Sequence, residues 1–215
     1  MDTAKLVYRY KGNLYINLTN ECPTACLFCV KTLWKMQFHE NNLNISKFEP
    51  TAADYINVIS KEIETKKFNE LIFCGYGEPT MRLNELFAIS NAVREGKING
   101  LPNDFQIRLN TNGLGNLINK KNIVPELKRK IDSVSISLNT MDPEQWLQLM
   151  NPLEEYREKG FLSVLTFIED CSKTLGETTI TTIDNLGADI EKLNTLAKKI
   201  NVDIRIRQGL ETKIL

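Results

Sequence analysis

The sequence predicts an α/β protein, a partial (β/α)6 TIM-like barrel open along one side. Three observations carry that expectation. Six short strand-like segments are separated by segments with helical spacing of their apolar residues. Strand and helix alternating through right-handed crossovers produce a parallel sheet. Most of the strands alternate apolar with polar residues, whereas strands of a flat parallel sheet covered on both faces run continuously apolar.

The elements follow in order. Leu14 to Asn20 is the first strand, with Leu14, Ile16 and Leu18 alternating against Tyr15, Asn17 and Thr19. Pro50 to Lys67 is a helix, because Ala52, Tyr55, Ile56, Ile59 and Ile63 form one stripe and proline suits the first turn. The alternation continues with Glu70–Gly75 as strand, Asn84–Glu95 as helix, Asp104–Asn110 as strand and Asn116–Lys130 as helix. Ile131–Asn139 is the fourth strand and Asp142–Lys159 the next helix. Phe161–Ile168 is expected as the fifth strand, Thr182–Ile200 as a helix and Val202–Arg207 as the sixth strand. The long segment Lys31–Glu49, polar and rich in asparagine, is a loop of the kind that serves as a lid or binding element.

The phase of the strands suggests what the barrel encloses. Phe105, Ile107 and Leu109 oppose Gln106, Arg108 and Asn110; Ser133, Ser135, Ser137 and Asn139 share one phase of the fourth strand; Asp203, Arg205 and Arg207 oppose Val202, Ile204 and Ile206. If the apolar phase meets the helices, the polar phase lines a cavity. A closed eight-stranded barrel fills its lumen with branched apolar side chains and takes about 250 residues; six strands and a polar inner face predict an incomplete barrel with a wet chamber instead. The alternative is a sheet with one face in solvent.

The 215 residues, 42% hydrophobic and 25% charged, read as one globular domain over 1–215. A chain of this length buries roughly 70% of its unfolded surface, so its core needs no staples. Lysine plus arginine (27) balances aspartate plus glutamate (27), which excludes a general basic field for nucleic acid or an anionic membrane. No apolar run approaches the roughly 18 residues of a membrane span, and the first residues lack a signal pattern, so a cytoplasmic protein without membrane partners is expected. Five cysteines, three of them between positions 22 and 29, point to a metal rather than to a secreted disulfide framework.

The run TNECPTACLFCV places Cys22, Cys26 and Cys29 as C-x3-C-x2-C directly after the first strand. Three thiolates leave one iron of a four-iron cluster without a protein ligand, and an open iron is a place for substrate chemistry. A zinc site would need a fourth ligand; the single histidine, His39, lies ten residues on and reads as an exposed loop residue. The second strand ends in CGYGEPT, Cys74 to Thr80, where glycines permit close backbone approach and unusual angles, and Glu78 offers a carboxylate to an ammonium group. The third strand ends in LNTNG and the fourth in SISLNT.

The cysteine spacing, with Phe28 before the third cysteine, resembles the signature of the radical S-adenosylmethionine (radical SAM) superfamily. CGYGEPT resembles that superfamily's glycine-glycine-glutamate-proline motif, with Tyr76 separating glycines that are adjacent in many members. The resemblance implies an enzyme with a [4Fe-4S] cluster on Cys22, Cys26 and Cys29. It also implies S-adenosylmethionine held by Phe28, Gly75, Tyr76, Gly77, Glu78, Asn110, Ser137, Asn139 and Arg205. Reductive cleavage would yield a 5′-deoxyadenosyl radical that abstracts hydrogen from a substrate. Lys31, Arg108 and Arg205 are candidates for the methionine carboxylate, and strand Leu162–Ile168 for the neighbourhood of the adenine.

An electron donor such as flavodoxin or ferredoxin is implied, and the substrate is a small molecule or a macromolecule. The opening YRYKGNLYINLTNECPTACLFCVK is most similar to the radical proteins associated with TatD-type hydrolases; the glycine-rich N-terminal signatures of glycyl-radical activating enzymes and 7-carboxy-7-deazaguanine synthases are missing before these cysteines. Cys74 and Cys171 read as buried small hydrophobes. Trp34, Met36 and Phe38 either cover the site or pack on the barrel mouth. The opposing function class is an iron-sulfur or zinc module without turnover.

Overall fold

A computed structural model describes residues 4–209, with the backbone alone for Thr32. An antiparallel hairpin, β1 (Val7–Tyr10) and β2 (Asn13–Ile16), opens the chain. The cysteine loop and a short helix α1 (Val30–Leu33) follow, then a two-residue ribbon, β3 (Gln37–Phe38) with β4 (Asn41–Asn42). Helix α2 (Ala52–Thr65) begins at a capping box in which Thr51 and Asp54 satisfy each other's backbone, so the start lies just after the expected proline. Next come β5 (Leu71–Phe73), a 3-10 turn at Pro79–Arg82, α3 (Leu83–Arg94), β6 (Ile107–Thr111), two single-turn helices α4 (Gly115–Ile118) and α5 (Val124–Leu127), and β7 (Ser133–Ser137). The chain ends with α6 (Pro143–Met150), α7 (Glu154–Arg157), α8 (Gly160–Thr174), β8 (Glu177–Ile183), α9 (Ile190–Ile200) and β9 (Asp203–Arg207).

The main sheet has the order β1-β2-β5-β6-β7-β8-β9. From β2 to β9 every neighbour is parallel, giving the expected six parallel strands. Among the described residues β1 and β9 have no mutual pairing, so the curled sheet stays open on that side. The antiparallel β1 is an edge strand the sequence reading did not include. It adds Tyr8 and Tyr10 beside Tyr15.

One strand was expected in the wrong place. Phe161–Ile168 lies inside helix α8, and the fifth parallel strand is β8, partly within the segment expected as the helix Thr182–Ile200. A run such as FLSVLTFI has no period that separates a buried strand from a buried helix. The decision comes from its continuation: Val164, Phe167, Ile168 and Cys171 are spaced as one helical face, and all four are buried against the sheet. The β-branched run ETTITTI supplies the strand. The expected helices at Asn116–Lys130 and Asp142–Lys159 are each broken in two, the second at Asn151, whose φ of 40° caps α6 in the left-handed conformation before Pro152.

The core lies between the sheet and the outer helices. Leu14, Ile16, Leu71, Phe73, Ile107, Leu109, Val134 and Ile136 present the outward phase to Tyr55, Ile59, Leu86, Ile89, Trp146 and Phe167, all at most 1% exposed. Burial of this apolar surface is the main favourable term holding the layers together. Tyr55 Oη also donates to the carbonyls of Asn17 and Leu18 (3.0 and 3.1 Å), tying α2 to the segment that leads into the cysteine loop.

Candidate active site

The inward phase of the same strands lines a chamber at their C-terminal ends. Its wall comprises Cys22, Thr24, Cys26 and Phe28 from the cysteine loop, Cys74, Gly75, Gly77 and Glu78 after β5, and Asn110, Thr111 and Asn112 at the end of β6. Ser135, Ser137, Met150, Thr181, Arg205 and Arg207 complete it. The position matches the general rule that parallel α/β sheets present ligands beyond the carboxyl ends of their strands.

The cysteine loop is shaped by its own hydrogen bonds. Thr24 Oγ1 lies 3.3 Å from both Cys22 Sγ and Cys26 Sγ, and the Cys29 N–H donates to the Cys26 carbonyl at 3.0 Å. Asn112 Nδ2 approaches Cys22 Sγ at 3.9 Å. Burial pushes the Cys22 thiol above its usual range and the Cys26 thiol to about 12, so bound metal must displace protons there. Cys22 and Cys26 face the chamber, whereas Cys29 is half-buried and outside the wall. Among the described residues no three His, Cys, Asp or Glu side chains gather tightly enough for a single ion. His39 is engaged with the rings of Tyr10 and Phe38 (5.6 and 4.7 Å). An all-thiol donor set spread along a loop, without a fourth side chain, suits a multi-iron cluster with a free corner better than tetrahedral zinc.

The loop after β5 is held against the cysteine loop. Glu78 N–H donates to the Glu21 carbonyl at 2.8 Å. A Cβ on Gly77 would stand 2.4 and 2.5 Å from the Thr19 and Glu21 carbonyl oxygens, and one on Gly75 would stand 2.3 Å from Asn17 Oδ1. The glycines are therefore required by contact between two loops. This corrects the expectation of unusual backbone angles, since neither has positive φ.

Glu78 is 3% exposed and its carboxylate accepts four hydrogen bonds from the protein. Oε1 accepts from Thr80 N–H (3.1 Å), Thr80 Oγ1 (2.8 Å) and Thr111 Oγ1 (2.8 Å); Oε2 accepts from the Asn112 N–H (2.8 Å). Burial pushes the carboxyl above its ordinary range, and those donors oppose the shift. Glu78 thus joins the ends of β5 and β6, a structural task beyond the ammonium contact expected for it.

The remaining expected residues divide. Phe28, Gly75, Gly77, Glu78, Asn110, Ser137 and Arg205 line the chamber. Tyr76 does not: its hydroxyl donates to the Gln37 carbonyl and fastens the β3–β4 ribbon. Asn139 does not either, because β7 ends at Ser137 and Asn139 adopts φ 66°, which breaks the strand phase. Its side chain is fully buried, with Nδ2 3.3 Å from Met150 Sδ. Of the basic candidates, Arg108 is paired with Glu70 at 3.0 Å and Lys31 sits on α1 outside the wall, leaving Arg205.

The segment expected near the adenine is the outer helix α8; from the fifth parallel strand it is Thr181 of β8 that lines the wall. Cys171 is fully buried as expected, whereas Cys74 lines the chamber. Trp34 and Phe38 pack in an aromatic cluster with Tyr8, Tyr10 and Tyr15, and neither they nor Met36 reach the wall. Arg207 lines the chamber as the phase of its strand predicts, whereas Thr24 and Met150 escaped the sequence reading. For Thr24 the signal was present in its place between two cysteines.

A family model described as "Radical SAM superfamily" matches residues 16–200. The chain is 26% identical over 196 residues to an S-adenosylmethionine-dependent nucleotide dehydratase of Selenomonas ruminantium, covering 90% of this chain and 63% of that protein. It is 23% identical over 214 residues to the dual-specificity RNA methyltransferase RlmN of Buchnera aphidicola subsp. Schizaphis graminum, covering 96% and 56%. The chain thus spans less than two thirds of the length of the curated relatives it matches. The fold is similar to that of Streptococcus suis SuiB bound to S-adenosylmethionine, with TM-score 0.62, 19% identity and coverage of 93% of this chain and 39% of that one. With its cysteine loop, its open parallel barrel and a family match across most of its length, this chain belongs to the radical SAM superfamily, whose members use a [4Fe-4S] cluster and S-adenosylmethionine.

Proposed function

We propose that the chain is a radical SAM core domain in which Cys22, Cys26 and Cys29 hold the [4Fe-4S] cluster and the chamber beside them holds S-adenosylmethionine. The observation carrying this reading is the junction of two loops: the cysteine loop and the loop Cys74–Glu78 dock through backbone contacts that leave no room for a side chain at Gly75 or Gly77. When bound, the cluster supplies an electron that cleaves S-adenosylmethionine to methionine and a 5′-deoxyadenosyl radical, which takes hydrogen from the substrate.

The protein's part is position and exclusion of water. Gly75 and Gly77 would face the amino-acid end of the cofactor, with Glu78 behind them as a fixed acceptor whose Oε2, which takes a single hydrogen bond from Asn112 N–H, has a lone pair left for the ammonium. Arg205 meets the carboxylate. Asn110 offers an acceptor, since its Oδ1 is buried without a donor. Ser137, 3.3 Å from Thr181 Oγ1, forms a hydroxyl pair for the ribose. Phe28 closes the apolar side. Tyr76 contributes indirectly, by holding the ribbon.

The resemblance of residues 8–31 to the TatD-associated radical proteins favours that subgroup, and it brings no substrate with it. The two curated relatives are named for a nucleotide and an RNA substrate, which favours a phosphate-bearing substrate over a simple peptide. A flavodoxin or ferredoxin would supply the electron. A cytoplasmic location fits that supply, and among the described residues no helix is long and apolar enough to cross a membrane. Anaerobic reconstitution with iron and sulfide, reduction with dithionite and assay of 5′-deoxyadenosine tests the reading. Iron binding without any cofactor cleavage would turn it into a module without turnover.

A further inference from the structure

We propose that Arg207, at the end of the last strand, is a specificity-determining residue that seats an acidic group of the substrate, a phosphate or a carboxylate, on the open side of the chamber. The inference rests on the cofactor reading above and deepens it.

Four carboxylates around the sheet already have partners. Glu78 accepts its four hydrogen bonds, and Glu70 pairs with Arg108 at 3.0 Å. Asp132 pairs with Arg94 at 2.6 Å, and Asp184 Oδ1 accepts from the Gly209 N–H at 2.7 Å. Arg207 forms no ion pair among the described residues, although it lines the chamber. Its Nε is buried with no acceptor. Leaving a guanidinium donor desolvated and unmatched costs free energy that only an incoming acceptor offsets.

The neighbours strengthen the case. Arg205 stands two residues back in the same phase and makes a long 3.4 Å donation to Ser135 Oγ. Two guanidinium groups therefore face the same chamber, neither of them in an ion pair among the described residues. Burial pushes Arg207 below its usual range; the Cys74 thiol opposes that shift and Arg205 adds to it. The planar fork of arginine matches a carboxylate or phosphate with two parallel hydrogen bonds. Arg205 suffices for the single carboxylate of the cofactor, which leaves Arg207, at the C-terminal end of the same strand, for a second anion.

The test uses cluster-loaded protein with S-adenosylmethionine present, and three probes that share a ring but differ in charge: phenyl phosphate, benzoate and benzyl alcohol. Calorimetric titration should show at least one anionic probe binding about tenfold or more tighter than the alcohol, and the tighter of the two acids identifies the group. Arg207→Gln should weaken that probe about ten- to hundredfold, the loss of a hydrogen bond to a charged group. Arg207→Lys should fall between, and the affinity for S-adenosylmethionine should move less than about twofold. Equal binding of acid and alcohol by the unaltered protein overturns the inference, with no variant needed. So does an Arg207→Gln protein that loses cofactor affinity as much as probe affinity, which would assign both arginines to the cofactor. Failure of the cofactor reading shows differently, as unaltered protein that forms no 5′-deoxyadenosine.

Discussion

The two faces of the central strands are made of opposite chemistry although they share the same backbone. On β7, Val134 and Ile136 meet the helices and are at most 1% exposed, while Ser133, Ser135 and Ser137 look inward. On β6, Leu109 is fully buried in the outer layer and Asn110 lines the chamber. The outer face supplies stability through apolar burial, with Ser90 Oγ and Trp146 Nε1 as unmatched exceptions among its helices, and the inner face carries unmatched polar groups that include charged ones: among the described residues Asn110 Oδ1, Arg108 Nε and Arg207 Nε are buried without partners. A fold held from outside can tolerate such groups within, where a ligand satisfies them.

The strongest challenge to that division is Cys26→Ala. It should abolish cluster content and 5′-deoxyadenosine formation while leaving thermal unfolding of the metal-free protein nearly unchanged. Collapse of the metal-free fold would show that the inner loop is structural after all. Phe167→Ala on α8 should do the reverse: a loss of about 3–5 kcal/mol in denaturant unfolding, typical of a large buried ring removed, with cluster stoichiometry in the surviving folded protein unaltered.

Gly77→Ala tests the place where the two regions meet. Its added methyl must displace the Thr19 or Glu21 carbonyl, since neither is a flexible side-chain end. The expected cost is about 1–3 kcal/mol of overpacking strain, accompanied by weaker binding of S-adenosylmethionine in calorimetry. Binding that survives intact would separate the glycine from the cofactor. The smallest effect belongs to Cys171→Ala, a fully buried thiol under α8. About 1 kcal/mol of stability should be lost and turnover retained; loss of iron would contradict its place on α8, outside the chamber wall.

Much of this was legible before any coordinates. Strand alternation at Leu14–Thr19, the stripe of α2 and the phase of β6, β7 and β9 all appear locally, because side-chain period follows directly from backbone geometry. The chamber wall at Asn110, Ser135, Ser137 and Arg205 followed from that phase. Failure came where period is silent or a local break intervenes. FLSVLTFI carries no decisive period; Asn139 has the right parity but a left-handed backbone; and β1 is an edge strand whose partner lies across a two-residue turn.

By itself, then, the order of residues determined the alternation of strands and helices, the polar inner phase and the cysteine spacing, all properties set within a few residues of one another. Tertiary structure alone decided that Gly75 and Gly77 press against Asn17, Thr19 and Glu21, that Glu78 is claimed by Thr80, Thr111 and Asn112, and that Arg207 stands without a carboxylate among the described residues. Most of these depend on pairings across 33 to 58 positions. Which donor finds which acceptor at that range is decided by competition among all buried polar groups, and no local pattern records the outcome.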